Sequence, residues 1–195
     1  MNSTTPDWDL RYRENNTPWD RGVVSPALLR WLDRGMLAPP ARVLVPGCGC
    51  GHEVVELARR GFSVTALDLA PTALAVLRTR LHEANLTATV IETDVFHWEA
   101  PRSFDAVFEQ TCLCALEPKA WADYARRLHR WLRPQGRLFA LFMQTGRDDG
   151  PPFHCALPEM HALFPADRWH WPAEADATVP HRSGLYELAF ALARI

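Results

Sequence analysis

The sequence has no long hydrophobic run and no excess of charge. None of its uninterrupted apolar stretches approaches the roughly 20 residues that a membrane-spanning helix needs. Residues 1–10 lack the positive start and apolar stretch of a signal peptide. The 21 lysines and arginines and 23 acidic residues leave a net charge of −2 without a basic stripe. We therefore expect a cytoplasmic protein that acts on a small molecule, with neither a membrane nor a nucleic acid as partner.

Repeats, low-complexity segments and linker-like stretches are also missing from the sequence. Hydrophobic residues make up 48% of its 195 residues, so the chain can bury a sizeable core. We expect a single domain over residues 1–195, with an N-terminal segment at 1–40 and an α/β core at 41–195.

The five cysteines fit a reducing compartment better than a disulfide framework. Four of them form two pairs with one intervening residue, Cys48 with Cys50 and Cys112 with Cys114. Each pair follows a predicted strand, so the two could meet at one edge of a sheet as a metal site or a redox pair. Because one intervening residue is short for a structural zinc pair, we favour small buried side chains and expect no metal.

Short apolar segments alternate with helical ones from residue 42 onwards. The predicted strands are 42–45, 63–67, 87–93, 104–108, 137–142 and 185–194, and the predicted helices are 26–32, 52–60, 71–84, 118–132 and 157–164. The early strands are apolar throughout, which is typical of a parallel sheet covered on both faces. The sequence therefore predicts a doubly wound α/β fold with a mostly parallel sheet.

The first predicted strand runs into a glycine-rich turn, Gly47-x-Gly49-x-Gly51. Glycine permits positive φ and lets the backbone approach a ligand closely, and the helix that follows presents free N–H groups. In an open α/β sheet the ligand lies beyond the carboxyl ends of the strands. A tight turn that binds nothing is the alternative for this loop taken alone.

Two acidic residues indicate what the loop binds. Asp68 ends the second strand 21 residues after Gly47, close to the spacing of about 20 that a ribose-binding carboxylate has. Asp94 closes the third strand, where it can accept a hydrogen bond from an adenine amino group while Val95 and Phe96 cover the ring. Taken singly, Asp68 could be a helix N-cap and Asp94 an ordinary loop residue. Together with the loop they predict a nucleoside cofactor.

The loop departs from the dinucleotide pattern G-x-G-x-x-G. Its third-glycine position holds His52, and Glu53 follows at the start of the helix. A carboxylate there would repel a pyrophosphate, whereas a sulfonium cofactor carries no phosphate. The pattern favours S-adenosylmethionine over NAD. An NAD-dependent oxidoreductase and a non-catalytic cofactor-binding protein are the alternatives.

Several motifs resemble the thiopurine methyltransferase family, which includes halide, thiol and thiocyanate methyltransferases. They lie at 8–12 with 17–20, at 44–49, at 104–118 and at 150–153. Most class I methyltransferases have an acidic residue two positions before the first glycine of this loop. Val45 takes that position here, and a non-acidic residue at this position is typical of this branch. The resemblance implies a Rossmann-like class I fold with an N-terminal helical lid.

The resemblance also implies which residues bind the cofactor. Trp8 and Trp19 would close over it, and Tyr12 stands where relatives often have another tryptophan. The rest of the implied site comprises Gly47 and Gly49 at the methionine part, Asp68 at the ribose, Asp94 and Val95 at the adenine, and Glu109 near the methionine amino group.

The implied chemistry is an in-line displacement at a sulfonium methyl that leaves S-adenosylhomocysteine. A thiolate needs proximity and a dry site more than a base, so we assign no catalytic base. The expected acceptor is a small thiol, and the alternatives are a halide, thiocyanate, a thiopurine or a selenium or tellurium species. Candidate acceptor-side residues are Cys112, Phe153 and His154. His154 could receive the thiol proton, or it could be a solvent-facing loop residue.

Overall fold

A computed structural model describes residues 6–181 and 184–195. Its strands are β1 (Arg42–Pro46), β2 (Ser63–Asp68), β3 (Thr89–Glu92), β4 (Phe104–Gln110), β5 (Leu132–Gln144), β6 (Trp169–His170), β7 (Ala177–Pro180) and β8 (Tyr186–Arg194). Its helices are α1 (Trp8–Arg13), α2 (Pro26–Asp33), α3 (His52–Arg59), α4 (Pro71–Glu83), α5 (Pro118–Trp131) and α6 (Leu157–Leu163), with one 3₁₀ turn at Leu113–Ala115. Within the described residues, every helix is too short or too polar to cross a membrane.

The strands form one sheet in the order β3-β2-β1-β4-β5-β8-β6, and β7 also pairs with β8. Strands β1 to β5 are mutually parallel, whereas β8 runs antiparallel to β5, β6 and β7. The predicted doubly wound, mostly parallel fold is confirmed. Because β8 is antiparallel, its first residues lie at the carboxyl edge of β4 and β5.

Apolar side chains cover both faces of the sheet. One face packs against α5 and α6, and the other packs against α2, α3 and α4. Trp31 is wholly buried in the second face, where its ring contacts Phe108 and Phe139 and its Nε1 donates to Asp176 Oδ2 at 3.0 Å. Trp31 is therefore a core residue.

The structure adds elements that the pattern did not predict. α1 was expected only as part of a loosely helical N-terminal segment. β6 and β7 have two and four residues, too few for the apolar–polar alternation of a strand to be recognised in the sequence. β5 begins at Leu132 because that residue already pairs with Phe104. Residues 1–5 of the expected N-terminal segment lie outside the described residues.

Candidate active site

The glycine loop between β1 and α3 is left-handed at each of its glycines. Gly47, Gly49 and Gly51 have φ values of 59°, 51° and 72°. A Cβ on Gly51 would lie 2.3 Å from Leu77 Cδ1 on α4. Gly51 therefore allows α3 to begin against α4, which is the packing role that dinucleotide sites give to their third glycine.

Asp68 joins the end of β2 to this loop. Its side chain is 9% exposed, and its two carboxylate oxygens accept from the backbone N–H groups of Gly49 (2.8 Å) and Ala70 (2.9 Å). Burial raises the pKa of Asp68, and these two backbone donors oppose that shift. Ala70 is the N-cap of α4, so Asp68 supports that helix as well as the loop. Its contact with a ribose stays a prediction.

Three aromatic side chains of the N-terminal segment lie together above the loop. The rings of Trp8 and Tyr12 meet the ring of Trp19 edge-on, with centroids 5.3 and 5.8 Å away. Trp19 Nε1 donates to Tyr12 Oη at 3.1 Å, and that hydroxyl lies 2.7 Å from where a Cβ on Gly49 would be. The structure thus brings together the predicted lid residues and the loop they were expected to cover.

Two carboxylates hold this segment to the helices below it. Asp9 Oδ1 accepts from Thr72 N at 2.8 Å, at the start of α4. Asp20 Oδ1 lies 2.9 Å from His52 Nε2, at the start of α3. The hydrogen bond from His52 is the largest influence that lowers the pKa of Asp20 to about 2. These contacts place the aromatic cluster directly over the helix starts.

Glu109 is a buried carboxylate with an unused oxygen. It is 1% exposed near the end of β4, where Oε1 accepts from Leu113 N at 2.6 Å and Oε2 has no partner in the part of the chain that the structure describes. Burial is the main cause that raises its pKa to about 8, and the nearby Glu187 raises it further. A buried acceptor without a donor fits a cationic group such as an ammonium or a sulfonium.

The predicted adenine residues lie in a turn after β3. Asp94 Oδ1 accepts from Phe96 N at 2.8 Å, so one carboxylate oxygen stabilises the turn. Its side chain is 41% exposed, and Val95 beside it is buried. The turn leaves Asp94 accessible, and the adenine contacts stay predictions.

The acceptor-side residues lie in two segments that touch. Cys112 Sγ is 3.0 Å from where a Cβ on Gly47 would be, so its side chain packs on the glycine loop. Phe153 N donates to Cys114 O at 2.7 Å. His154 Nδ1 accepts from the N–H of Thr145 at 3.0 Å, so in the neutral ring Nε2 carries the proton and the basic nitrogen is already hydrogen-bonded. A role in proton transfer stays a prediction for His154.

All five cysteines are free thiols, and all but Cys50 are buried. Burial raises the pKa of Cys112. Across residues 6–181 and 184–195, the structure contains no group of three His, Cys, Asp or Glu side chains placed to hold a metal ion. Cys48, Cys112 and Cys114 are buried at the loop and at the turn after β4.

Glu53 is placed differently from what the argument against NAD assumed. Its Oε1 accepts from Ser25 N at 2.9 Å, ahead of α2, and burial raises its pKa. A carboxyl group held in this way repels a phosphate less than a free one would. The choice between the two cofactors therefore rests on other evidence.

Comparison with known sequences supplies that evidence. A family model described as "Thiopurine S-methyltransferase (TPMT)" matches residues 3–186. The chain belongs to the thiopurine S-methyltransferase family. It is an S-adenosylmethionine-dependent methyltransferase, as the sequence predicted, and the oxidoreductase and non-catalytic alternatives are set aside.

Individual relatives of this methyltransferase support the assignment. "Probable thiol methyltransferase 2" of Arabidopsis thaliana is 35% identical over 162 residues, which are 80% of this chain and 70% of that protein. "Thiocyanate methyltransferase 1" of Brassica oleracea is 33% identical, over 77% of this chain and 67% of that protein. The fold matches the 1,6-didemethyltoxoflavin-N1-methyltransferase of Burkholderia thailandensis with a TM-score of 0.77 at 23% identity, over 96% of this chain and 85% of that one.

The sequence analysis of this methyltransferase missed a polar cluster next to Glu109. Glu187 is fully buried in β8, and its Oε2 accepts from Gln110 Nε2 at 2.8 Å and lies 3.0 Å from His181 Nε2. A signal was present, because Glu187 is an acidic residue inside an otherwise apolar strand. Such a residue is rarely buried without a polar partner or a function.

Replacing Trp19 by alanine should weaken S-adenosylmethionine binding about tenfold. The change removes the ring that joins Trp8 to Tyr12 and the donor to the Tyr12 hydroxyl. An aromatic pair contributes roughly 0.5 to 1.5 kcal/mol beyond the area that it buries, and about 1.4 kcal/mol corresponds to tenfold in affinity. Isothermal titration calorimetry measures the effect. Trp98→Ala is the matched control, because that ring packs on Phe104 and Trp131 and its loss should lower stability without changing affinity. Equal affinity in both variants would exclude a lid role for Trp19.

Proposed function

We propose that this methyltransferase S-methylates a small thiol. The observation that carries the proposal is the apolar character of the acceptor side. Cys112 and Cys114 are buried, Phe153 is partly buried against the same core cluster, and the hydrogen bond from Phe153 N to Cys114 O holds the two segments together. A polarisable sulfur nucleophile loses little by leaving water for such surroundings, unlike an oxygen or nitrogen nucleophile of the same charge.

The residues present fit the cofactor as well as the acceptor. The left-handed glycines let the backbone approach a ligand, and the unused oxygen of Glu109 suits the methionine amino group. When bound, S-adenosylmethionine supplies an electrophilic methyl group. The protein aligns the nucleophile, and the cluster of Trp8, Tyr12 and Trp19 excludes water from the reacting atoms. The relatives named for thiol and thiocyanate acceptors support a soft nucleophile.

A product screen tests this function. The purified protein is incubated with S-adenosylmethionine and, in turn, with alkyl and aryl thiols, thiocyanate, iodide and a thiopurine, and the methylated products are measured by mass spectrometry. We expect the highest kcat/KM with a thiol. A faster reaction with thiocyanate or iodide would replace thiol with that anion as the acceptor, and a faster reaction with the thiopurine would indicate an aromatic acceptor. Asp68→Ala serves as the inactive control.

Affinity for S-adenosylmethionine should rise with pH up to about 8, because Glu109 must lose its proton to pair with a cation. Its pKa of about 8 keeps it mostly neutral at pH 6, so a proton is released on binding below that value. We expect affinity to increase about tenfold or more between pH 6 and pH 8, as measured by calorimetry. Glu109→Gln should bind weakly with little dependence on pH. A wild-type affinity that falls over this range would remove Glu109 from the cofactor site.

A further inference from the structure

The polar cluster of Gln110, His181 and Glu187 lies at the carboxyl edge of the sheet, on the acceptor side. Gln110 is the last residue of β4, and Glu187 is the second residue of β8 and pairs with Met143 of β5. The Gln110 side chain reaches across β5 to Glu187 Oε2, and His181 follows β7. Three strands thus converge on one buried carboxylate.

Within residues 6–181 and 184–195, two carboxylate oxygens of this region have no hydrogen-bond partner. Glu187 Oε1 and Glu109 Oε2 are both buried and unpaired, and the two residues are 0% and 1% exposed. Buried carboxylate oxygens are nearly always hydrogen-bonded, because an unpaired one costs free energy. Their lack of partners points to a bound group that supplies donors. The cofactor amino group accounts for Glu109 under the proposed function but leaves Glu187 Oε1 unexplained.

Titratable side chains from several elements surround Glu187. The titratable neighbours are Glu109 from β4, the buried thiols of Cys114 and Cys155, and His181. Arg21 of the N-terminal segment donates to Pro180 O at 2.7 Å, beside His181. Because Glu109 pairs with a cofactor cation in the loaded enzyme, Glu187 is the carboxylate left to exchange a proton with the acceptor.

We propose that Glu187 is the proton acceptor for the thiol substrate, an inference that rests on the proposed thiol acceptor. The S–H bond breaks and its proton passes to Glu187 Oε1. The electron pair left on the thiol sulfur would form the new C–S bond to the methyl group. The bond between that methyl group and the sulfonium sulfur would break, and its own electron pair would stay on the departing sulfur. Gln110 and His181 are positioning residues, because their contacts with Oε2 hold the carboxylate and leave Oε1 without a partner among the described residues. The proton returns to solvent before the next turnover.

The test is Glu187→Gln assayed against thiols of graded acidity at a single pH. A general base is needed only for a thiol that arrives protonated, and such a base contributes about 100-fold or more. We expect kcat to fall about 100-fold for alkyl thiols whose pKa lies about two units above the assay pH. For aryl thiols whose pKa lies below the assay pH, kcat should change less than about threefold, because they arrive as thiolates. The alkyl-thiol activity of the variant should recover as the assay pH rises.

Two further measurements separate a chemical role from a structural one. Glu159→Gln on α6 is the matched control, because that carboxylate is exposed, and it should behave as wild type. The ultraviolet absorbance of bound thiolate, measured with a cationic amine analogue of the cofactor, should be strong in wild type and weak in Glu187→Gln. S-adenosylmethionine should bind Glu187→Gln at least as tightly as wild type, because removing the nearby charge lowers the pKa of Glu109.

Each outcome bears on one proposal. An equal fall for alkyl and aryl thiols, or no fall for either, would overturn the role of Glu187 while leaving the thiol acceptor in place. If wild type itself methylates none of the thiols, the proposed function fails, and the comparison of variants is not reached. If Glu187→Gln unfolds, Glu187→Asp keeps the carboxylate with one methylene fewer, and it should retain the dependence on thiol acidity at a lower rate.

Discussion

Asp68→Ala should weaken S-adenosylmethionine binding by about 100- to 20,000-fold. In the proposed site the carboxylate would accept from the two ribose hydroxyls, and each hydrogen bond to a charged acceptor contributes about 1.5 to 3 kcal/mol. The change also releases the backbone N–H of Gly49 from the carboxylate, so the loop becomes less ordered. Calorimetric titration with S-adenosylmethionine measures the loss, with circular dichroism as a check on folding.

Asp105→Ala is the control for this experiment. Asp105 is also a carboxylate that accepts from a strand backbone, since its Oδ2 accepts from Arg42 N at 2.8 Å. It lies at the amino-terminal ends of β1 and β4, away from the carboxyl ends where the glycine loop lies. Its removal should lower the free energy of unfolding and leave cofactor affinity unchanged. An Asp68→Ala protein that binds as tightly as Asp105→Ala would limit Asp68 to supporting the loop and α4.

Gly51→Ala should destabilise the protein by about 2 to 5 kcal/mol, which is a large part of the stability of a typical domain. The left-handed backbone at φ 72° costs an alanine about 1 to 2 kcal/mol. The new Cβ would lie 2.3 Å from Leu77 Cδ1, and overpacking of this kind costs about 1 to 3 kcal/mol more. Urea unfolding followed by circular dichroism measures the change.

The cost of the left-handed backbone and the cost of the clash with Leu77 can be measured separately. Gly35 has the same left-handed backbone but no neighbouring side chain to clash with. It has φ 67° and nothing within 4 Å of an added Cβ, so Gly35→Ala should cost only about 1 to 2 kcal/mol. Leu77→Ala should make Gly51→Ala less costly in the double variant, since the side chain that clashes is then gone. If both glycine variants lose the same stability, the contact with Leu77 carries no weight.

The parts of the site that the sequence predicted are those held by local geometry. Gly47, Gly49 and Asp68 follow the ends of β1 and β2, and parallel pairing of these strands brings them together wherever the fold forms. The strand pattern was sufficient for that, because a short apolar run followed by glycine and then a helix has few other solutions. Trp8 and Trp19 came from the family resemblance alone.

The parts that the sequence did not predict depend on distant contacts. Glu187 meets Gln110 across 77 residues, and it does so because β8 enters the sheet antiparallel beside β5. Glu53 was misread for the same reason, since its partner Ser25 lies 28 residues earlier in the chain. The period of apolar residues in the sequence shows which face of its helix or strand a side chain occupies. It does not show which distant element packs against that face.

Both edges of the sheet leave little backbone for another chain to pair with. At one edge β3 has four residues. At the other edge, the outer side of the nine-residue β8 is covered by β7 over Tyr186–Ala189 and by β6 at Ala193 and Arg194. Only residues 190–192 lie between the two covered stretches, too few to start a foreign strand. Among the described residues, β6 and β7 thus protect the sheet against intermolecular growth, and weakening their pairing with β8 would favour aggregation.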